Sequence, residues 1–177
     1  MKLIVLLRDC ALPSTIYRYK LGHINKKYPG RNRVARYEVQ PDVYVDVYWK
    51  AIRKWRGPGL SLFVYGDEIL RFDCFGQGDG HYHVDYHAPW ATVNNKIFLS
   101  ESTVEGQIER TLHELETNLG FYLQRNRKRK IRNIKIDADR LESVSEKIRE
   151  SMNHLLDSVP ELQVLKTRVK EQSRIAQ

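Results

Sequence analysis

Histidine or aspartate occupies every second position in residues 80–87, whose sequence is GHYHVDYH. Successive side chains of a β-strand point to opposite faces, so His81, His83, Asp85 and His87 would share one face. Same-face neighbours stand about 6.6–7 Å apart along a strand, which would let two imidazoles lie around one scissile phosphate. Because imidazole titrates near neutral pH, one ring can act as general base and the other as general acid.

The same row fits two other interpretations. A His-x-His pair on a strand can chelate zinc or another transition metal, with Asp85 or His87 as the third ligand, although no cysteine pair or helical His-Glu motif accompanies it. The row can equally be an exposed polar strand face, or a face that binds a partner. We adopt the catalytic interpretation as the prediction, with no metal ion and no other cofactor.

Arg71 and Asp73 belong to the preceding predicted strand. They share the face opposite to Phe72, so an antiparallel partner strand would bring them beside the histidines. Arginine can hold a phosphate bidentately, and aspartate can orient an imidazole and stabilise its charged form. The alternative is a cross-strand ion pair on a solvent face. The predicted catalytic residues are His81, His83, Arg71, Asp73, Asp85 and His87.

Positive charge is unevenly distributed along the chain, whose net charge is +8. Residues 1–57 hold 13 Lys and Arg against 4 Asp and Glu, whereas residues 58–124 hold 3 against 10. Residues 125–135 then carry 7 basic residues and no acidic one. Two basic blocks therefore flank an acidic middle. This asymmetry favours a polyanionic partner over a merely solvated surface, because cations that contact phosphates release condensed counterions.

Both basic blocks predict phosphate contacts. In residues 125–135 the like charges repel one another, so a partner of opposite charge explains their clustering better than a solvated loop does. In the amino-terminal block the cations alternate with turn residues and with Tyr28 and Tyr37, on whose rings an unpaired base could stack. The predicted nucleic-acid-binding residues are Lys26, Lys27, Arg31, Arg33, Arg36, Arg125, Arg127, Lys128, Arg129, Lys130 and Arg132.

An antiparallel sheet is predicted to carry the histidine row. Residues 37–86 are rich in β-branched and aromatic residues and are interrupted by turn signals. Leu60–Tyr65 and Glu68–Phe75 are separated only by Gly66-Asp67, which predicts a tight hairpin because glycine tolerates positive φ. A total of four to five strands is predicted, the others being Val43–Tyr48, His81–Tyr86 and Lys96–Leu99.

Helices follow the sheet in the sequence. Ser102 and Glu105 have the spacing of a capping box, and apolar residues then recur every three or four positions as far as Tyr122. We expect helices over about 103–124 and 139–157, and a third opened by Pro160. The predicted fold class is α+β, an antiparallel sheet followed by two or three helices. Residues 1–136 would hold the basic amino-terminal region, the sheet and a packed helix, and residues 137–177 a helical extension.

Neither a membrane nor an oxidising compartment is indicated. No apolar run approaches the roughly 18 residues that span a bilayer. Met1–Leu7 meets Arg8 without a small-residue cleavage site, so it predicts a buried strand rather than a signal peptide. Cys10 and Cys74 have no metal-ligand or redox spacing. We therefore expect a cytoplasmic protein.

The chain resembles the TumE-like toxins of bacterial toxin–antitoxin systems in two segments, Leu70–Asp73 and His81–Val84, which a glycine-rich turn separates. Those proteins are similar in having an Arg-aromatic-Asp strand, a short loop, a His-x-His strand and then a helix. The resemblance covers residues 60–125 and implies a growth-inhibiting protein that acts on RNA. Its matching positions are Arg71, Asp73 and the two histidines of the second segment. The chain departs from the family in its basic amino-terminal region and its carboxy-terminal helices.

Two functions of different classes follow. The first is a metal-independent ribonuclease-type toxin or antiviral defence protein, with RNA favoured over DNA, in which His81 and His83 exchange protons and Arg71 stabilises the developing charge. The second is a non-catalytic basic nucleic-acid-binding module, or a subunit of a ribonucleoprotein complex. The expected partners are nucleic acid and a cognate antitoxin or complex subunit, without a membrane.

Overall fold

The computed structural model describes residues 31–52, 55–85 and 96–158. Within them, six strands come first: β1 Arg31–Gln40, β2 Val43–Ile52, β3 Trp55–Val64, β4 Asp67–Asp73, β5 His81–Val84 and β6 Ile97–Phe98. Four helices follow: α1 Val104–Thr117, α2 Leu119–Arg125, α3 Arg129–Arg132 and α4 Ala138–Ser158. This order confirms the predicted α+β class, with one strand more than the four to five expected.

The strands form one antiparallel sheet whose spatial order equals the chain order, from β1 to β6. The β3–β4 hairpin turns on two residues, Tyr65 and Gly66, whose φ values of 53° and 79° are both positive. The prediction placed this turn one residue later, at Gly66-Asp67, because tyrosine seldom adopts positive φ. The length of the turn was predicted correctly and its position was not.

Alternation along the strands divides the sheet into two faces. The apolar face, which includes Val45, Leu62 and Phe72, packs with the helices in one hydrophobic core. Burial of this surface is the main driving force for folding, at roughly 25 cal/mol per Å² of apolar area. The opposite face, called the polar face below, consists of buried polar residues: Arg31, Asp46, Tyr48, Lys50, Ser61, Glu68, Arg71, Asp73, His81 and His83.

Two short helices replace the single helix predicted over 103–124. The hydroxyl of Thr103, rather than that of Ser102, caps α1 by accepting a hydrogen bond from Gly106 N at 3.1 Å. The helix then breaks at Asn118, whose side-chain amide donates to Glu114 Oε2 at 2.9 Å. The apolar periodicity continues across the break, so the pattern did not reveal it.

Helix α4 matches the helix predicted over 139–157 and packs against α1 and against β1, β2 and β3. Its buried residues, Ile148 and Met152 among them, belong to the same core as the sheet. As far as residue 158, the expected extension is therefore part of the main core. The strand predicted at Met1–Leu7 and the helix predicted after Pro160 lie outside the described residues. None of the described helices is both long enough and apolar enough to span a membrane.

Candidate active site on the polar face of the sheet

The carboxylate of Asp73 is the centre of the polar face, at the end of β4. Lys50 Nζ lies 2.5 Å from Asp73 Oδ2, and Arg71 Nε lies 3.6 Å from it. Burial alone would raise the pKa of Asp73, but the charges of Lys50 and Arg71 outweigh burial, so the pKa is lowered and the carboxylate is ionised. The second oxygen, Oδ1, is buried and accepts no hydrogen bond from any described residue. A ligand could therefore donate to it.

Glycines in β3 let Lys50 reach Asp73 across the sheet. Lys50 is paired with Gly57 and Asp73 with Gly59, so β3 runs between the two charged residues. A Cβ added at Gly59 would lie 2.5 Å from the ring of Tyr48, well inside van der Waals contact. The strand between the two charges therefore needs residues without side chains.

His81 and His83 lie on β5, directly opposite Asp73 and Arg71 respectively. Their Nε2 atoms lie 3.5 Å and 3.9 Å from Asp73 Oδ2. Their ring centroids are 4.9 Å apart in an edge-to-face arrangement. The structure thus brings together the four residues that strand alternation placed side by side. Because the rings are too close for a phosphate to lie between them, a substrate would have to approach both from one side.

A backbone carbonyl determines which nitrogen of His81 carries the proton. His81 Nδ1 lies 2.7 Å from Asp79 O, and a carbonyl oxygen can only accept, so Nδ1 is the protonated nitrogen. Burial, together with the charges of Lys96 and Lys50, lowers the pKa of His81 despite the opposing effects of that carbonyl and of Asp73. The neutral ring therefore turns an unprotonated Nε2 toward Asp73, and a proton gained there would be stabilised by the carboxylate.

A second charged group lies on the same face. Arg31 Nη2 donates to Glu68 Oε1 at 2.5 Å, and Ser61 donates to the same oxygen at 2.6 Å. Because the Ser61 proton is used there, Tyr48 donates to Ser61 Oγ at 3.2 Å. Arg71 lies between the two groups, with Nη1 4.0 Å from Glu68 Oε2. The polar face is therefore one connected network.

Among the described residues, cations outnumber carboxylates at the centre of this network. At the rim, Asp46 is already paired with Arg36, whose Nε lies 2.7 Å from Asp46 Oδ1. The centre then holds three cations against two carboxylates, namely Arg31, Lys50, Arg71, Glu68 and Asp73. A charge held away from water is costly unless it is paired. Each of the three cations accordingly lies within 4.0 Å of a carboxylate.

The metal interpretation concerns three of the same residues. One ligand atom from each of Asp73, His81 and His83 lies within 4.8 Å of the others, a spacing that one transition metal could bridge. However, Lys50 already contacts Asp73 Oδ2 at 2.5 Å, so a metal ion at this oxygen would meet a like charge. The Lys50 ammonium therefore competes with a metal for the same carboxylate oxygen.

One predicted catalytic residue, Asp85, does not join the centre. Strand β5 ends at Val84, and Asp85 adopts a φ of 50°, so Asp85 leaves the row. Its carboxylate accepts a hydrogen bond from Asn126 Nδ2 at 2.7 Å instead. His87 lies outside the described residues.

Of the predicted amino-terminal phosphate contacts, the structure describes the side chains of Arg31 and Arg36, and both pair with carboxylates. Lys26, Lys27 and the side chain of Arg33 lie outside the described part of the chain. Arg31, predicted as a phosphate contact, is buried in an ion pair with Glu68. Arg36 is exposed but bonds a rim carboxylate through two nitrogens, at 2.7 Å and 2.8 Å.

The second basic block forms a surface next to the β3–β4 hairpin. Lys128 Nζ lies 2.6 Å from Asp67 Oδ2, and Lys130 Nζ lies 4.7 Å from the centroid of the Tyr65 ring. Asp67 and Asp73 begin and end β4, so this surface lies about 20 Å from Asp73 along the strand. The exposed cations within residues 125–132 are Arg125, Arg127, Arg129, Lys130 and Arg132.

Lys50 and Gln107 belong to the site but were not predicted. Gln107 of α1 is fully buried and forms two hydrogen bonds of 3.0 Å with the backbone of Gly76, which anchors the loop that carries Asp79. The sequence held a signal for Lys50, because it continues the alternation of Tyr48 by one step. The sequence held no signal for Gln107, since a glutamine within an amphipathic helix is usually at the surface.

Comparison with protein-family models, with curated proteins and with solved structures finds no match. The resemblance to TumE-like toxins is carried by its two short segments alone.

Proposed function

We propose that the chain cleaves RNA at phosphodiester bonds, without a metal ion, at the centre formed by His81, His83, Asp73, Lys50 and Arg71. The supporting observation is the convergence of two imidazoles and two cations on one buried carboxylate. Such an arrangement places proton-exchanging groups and groups that stabilise negative charge at one position.

In the proposed reaction, His81 Nε2 accepts the proton of a ribose 2′-hydroxyl. The 2′-oxygen forms a bond to phosphorus while the bond from phosphorus to the 5′-oxygen breaks, which leaves a 2′,3′-cyclic phosphate. His83 donates a proton to the departing 5′-oxygen. Asp73 stabilises the imidazolium of His81, whose Nε2 lies 3.5 Å from Oδ2.

Lys50 and Arg71 stabilise the negative charge that develops on the phosphoryl oxygens. Both side chains are buried, and electrostatic interactions are stronger there than in water. DNA lacks the 2′-hydroxyl nucleophile, so the mechanism selects RNA. The exposed basic block at 125–132 would hold the RNA backbone away from the scissile bond.

The resemblance to TumE-like toxins suggests the biological setting of this activity. A growth-inhibiting toxin would cut the RNA of its own cell, and a defence protein would cut viral RNA. Either activity belongs in the cytoplasm, and a toxin would have a cognate antitoxin as its partner.

The exposed cations of residues 125–132 favour a second function, which is nucleic-acid binding without catalysis. A non-catalytic module, or a subunit of a ribonucleoprotein complex, needs only such a surface to bind phosphates. In that case His81 and His83 would be structural members of the polar network.

Incubation of the protein with end-labelled single-stranded RNA and DNA, with and without EDTA, separates these functions. We expect cleavage of RNA only, no effect of EDTA, and at least about a 100-fold loss in His81→Ala/His83→Ala. The matched control is His113→Ala/His154→Ala, which removes two exposed helical histidines and should cut normally. Salt-sensitive binding without cleavage would support the binding module, and loss of cleavage in EDTA would indicate a metal enzyme.

A further inference from the structure

Phe98 is an exposed aromatic residue at the margin of the polar face. It is paired with His81 across β5 and β6, and opposed residues of antiparallel strands point to the same face. The two ring centroids are 6.1 Å apart. Phe98 is 63% exposed, whereas His81 is 5% exposed. The Phe98 ring therefore lies where solvent meets the candidate site.

A cation also lies near His81. Lys96 is exposed, with its Nζ 5.3 Å from the centroid of the Trp55 ring, and its charge helps to lower the pKa of His81. Trp55 is held in turn by a hydrogen bond of 3.1 Å from Nε1 to Asp79 Oδ1. An aromatic face and an ammonium group are thus both adjacent to the imidazole.

The surroundings of Phe98 fit a nucleobase better than a protein partner. Ile97 is paired with Tyr82 and points to the opposite face, so it does not extend an apolar patch around Phe98. Protein interfaces have an apolar centre depleted of charge, but this ring lies against an imidazole whose pKa the charge of Lys96 helps to lower. Interleaved rings and cations are typical of surfaces that bind single-stranded nucleic acids, since every base has a face to stack.

We infer that Phe98 is a stacking platform for one unpaired nucleobase next to the scissile phosphate, and that Lys96 contacts a neighbouring phosphate. The substrate would then be single-stranded, because a paired base cannot lay its face on the ring. The statement that the neighbouring phosphate is the one that is cut rests on the proposed function. Stacking of the base on Phe98 can be measured without cleavage.

The test is the binding of the full chain to a 2′-fluoro RNA heptamer that carries 2-aminopurine. This strand has no 2′-hydroxyl, so it stays intact while quenching of its fluorescence reports stacking. We expect Phe98→Ala to weaken binding by between about 5- and 150-fold and Phe98→Tyr to stay within about threefold of wild type. Ile97→Ala, a neighbouring exposed residue on the other face, should bind normally. On a strand with abasic residues, wild type and Phe98→Ala should bind equally.

Three results would overturn the platform: no loss in Phe98→Ala, the same loss on the abasic strand, or equally tight binding of a duplex. Phe98→Ala should keep the wild-type Tm, because the residue is largely exposed. A chain that stacks the base but cuts no RNA would retain the platform and lose the ribonuclease proposal. If Phe98→Ala cuts and binds RNA as the wild type does, the ribonuclease proposal is retained and the platform is lost.

Discussion

Asp73 holds the candidate site together, because side chains from three strands point at its carboxylate. Lys50 comes from β2, Arg71 from β4 and the histidines from β5. The attraction within a buried ionic network barely offsets the cost of removing its charges from water, so stability alone is a weak reason for such a network. Buried ionisable groups with shifted pKa values cluster at catalytic and binding sites, so the network marks a candidate functional site.

Replacing Asp73 tests whether the network forms. Asp73→Asn should lower the free energy of unfolding by about 3–5 kcal/mol, because Lys50 and Arg71 lose their buried counter-charge. Urea denaturation measures this difference. The control is Asp67→Asn, which breaks the partly solvent-exposed ion pair with Lys128 and should cost less than about 1 kcal/mol. Equal effects of the two substitutions would contradict the network.

The lowered pKa of His81 predicts the pH dependence of RNA cleavage. Burial and the nearby cations Lys96 and Lys50 keep the ring neutral at pH values below its ordinary pKa of 6.5, although Asp73 opposes them. The acidic limb of kcat/KM should therefore lie below pH 6.5, since this limb reports the essential base of the free enzyme. Lys96→Met should move the limb to higher pH, because one of the charges that lower the pKa is removed. A limb above pH 6.5 in the wild type would contradict the assignment of His81 as the base.

Alternation along strands was enough to place Arg71, Asp73, His81 and His83 together, because cross-strand neighbours follow from two short strands and a turn. The same rule failed at Asp85, where the strand ends and the backbone turns to positive φ. Strand ends depend on tertiary contacts, here a hydrogen bond from a distant asparagine, and no local pattern records them.

The loop between β4 and β5 determines where His81 points. Gln107 of α1 bonds the backbone of Gly76 at the start of this loop, and Asp79 O bonds His81 Nδ1 at its end. A Cβ added at Gly80 would lie 2.2 Å from the Gln107 side chain. Helix and loop are therefore fitted to each other without spare room.

Removal of the Gln107 amide should act on the rate rather than on binding. Gln107→Leu leaves the N–H and C=O of Gly76 without these partners, which should cost about 1–3 kcal/mol of stability. Because His81 would be misplaced, kcat should fall by about tenfold or more while KM stays unchanged. Steady-state cleavage kinetics measure both values. Glu116→Gln, an exposed change on the same helix, should alter neither, and an unchanged kcat in Gln107→Leu would contradict the positioning role.

Strand β1 was not among the strands predicted from the sequence. The sequence interpretation assigned Arg31 and Arg36 to a phosphate-binding surface, because charged residues at short intervals do not suggest a buried strand. In the structure both are paired with carboxylates of other strands, Glu68 and Asp46. Those partners lie 37 and 10 residues away in the sequence, so local composition could not identify them.

In the described part of the chain, the hydrophobic core and the candidate site lie on opposite faces of the sheet. The helices cover the apolar face and build the core, while the polar face holds the candidate centre. The exposed cations from Arg125 onward lie near the β3–β4 hairpin, about 20 Å from Asp73 along β4. If the chain binds RNA as proposed, a strand several nucleotides long has the length to contact both regions.

This arrangement predicts the salt dependence of RNA binding. Arg125→Ser/Arg129→Ser should weaken binding of single-stranded RNA and reduce the slope of log K against log salt by about 1.4, since each lost contact removes roughly 0.7. Fluorescence anisotropy at several salt concentrations measures the slope. The matched control, Arg140→Ser/Lys147→Ser, removes two exposed cations from α4. An equal reduction in the control would mean that charge acts diffusely and that the basic block is not a specific surface.

Product analysis on a DNA oligonucleotide that contains a single ribonucleotide tests the proposed reaction most directly. We expect one cut, on the 3′ side of the ribonucleotide, with a 2′,3′-cyclic phosphate on one product and a 5′-hydroxyl on the other. The cut should persist in EDTA and be absent in His81→Ala. Cleavage at deoxynucleotides, a 5′-phosphate product or loss of the cut in EDTA would contradict a reaction in which His81 activates the 2′-hydroxyl.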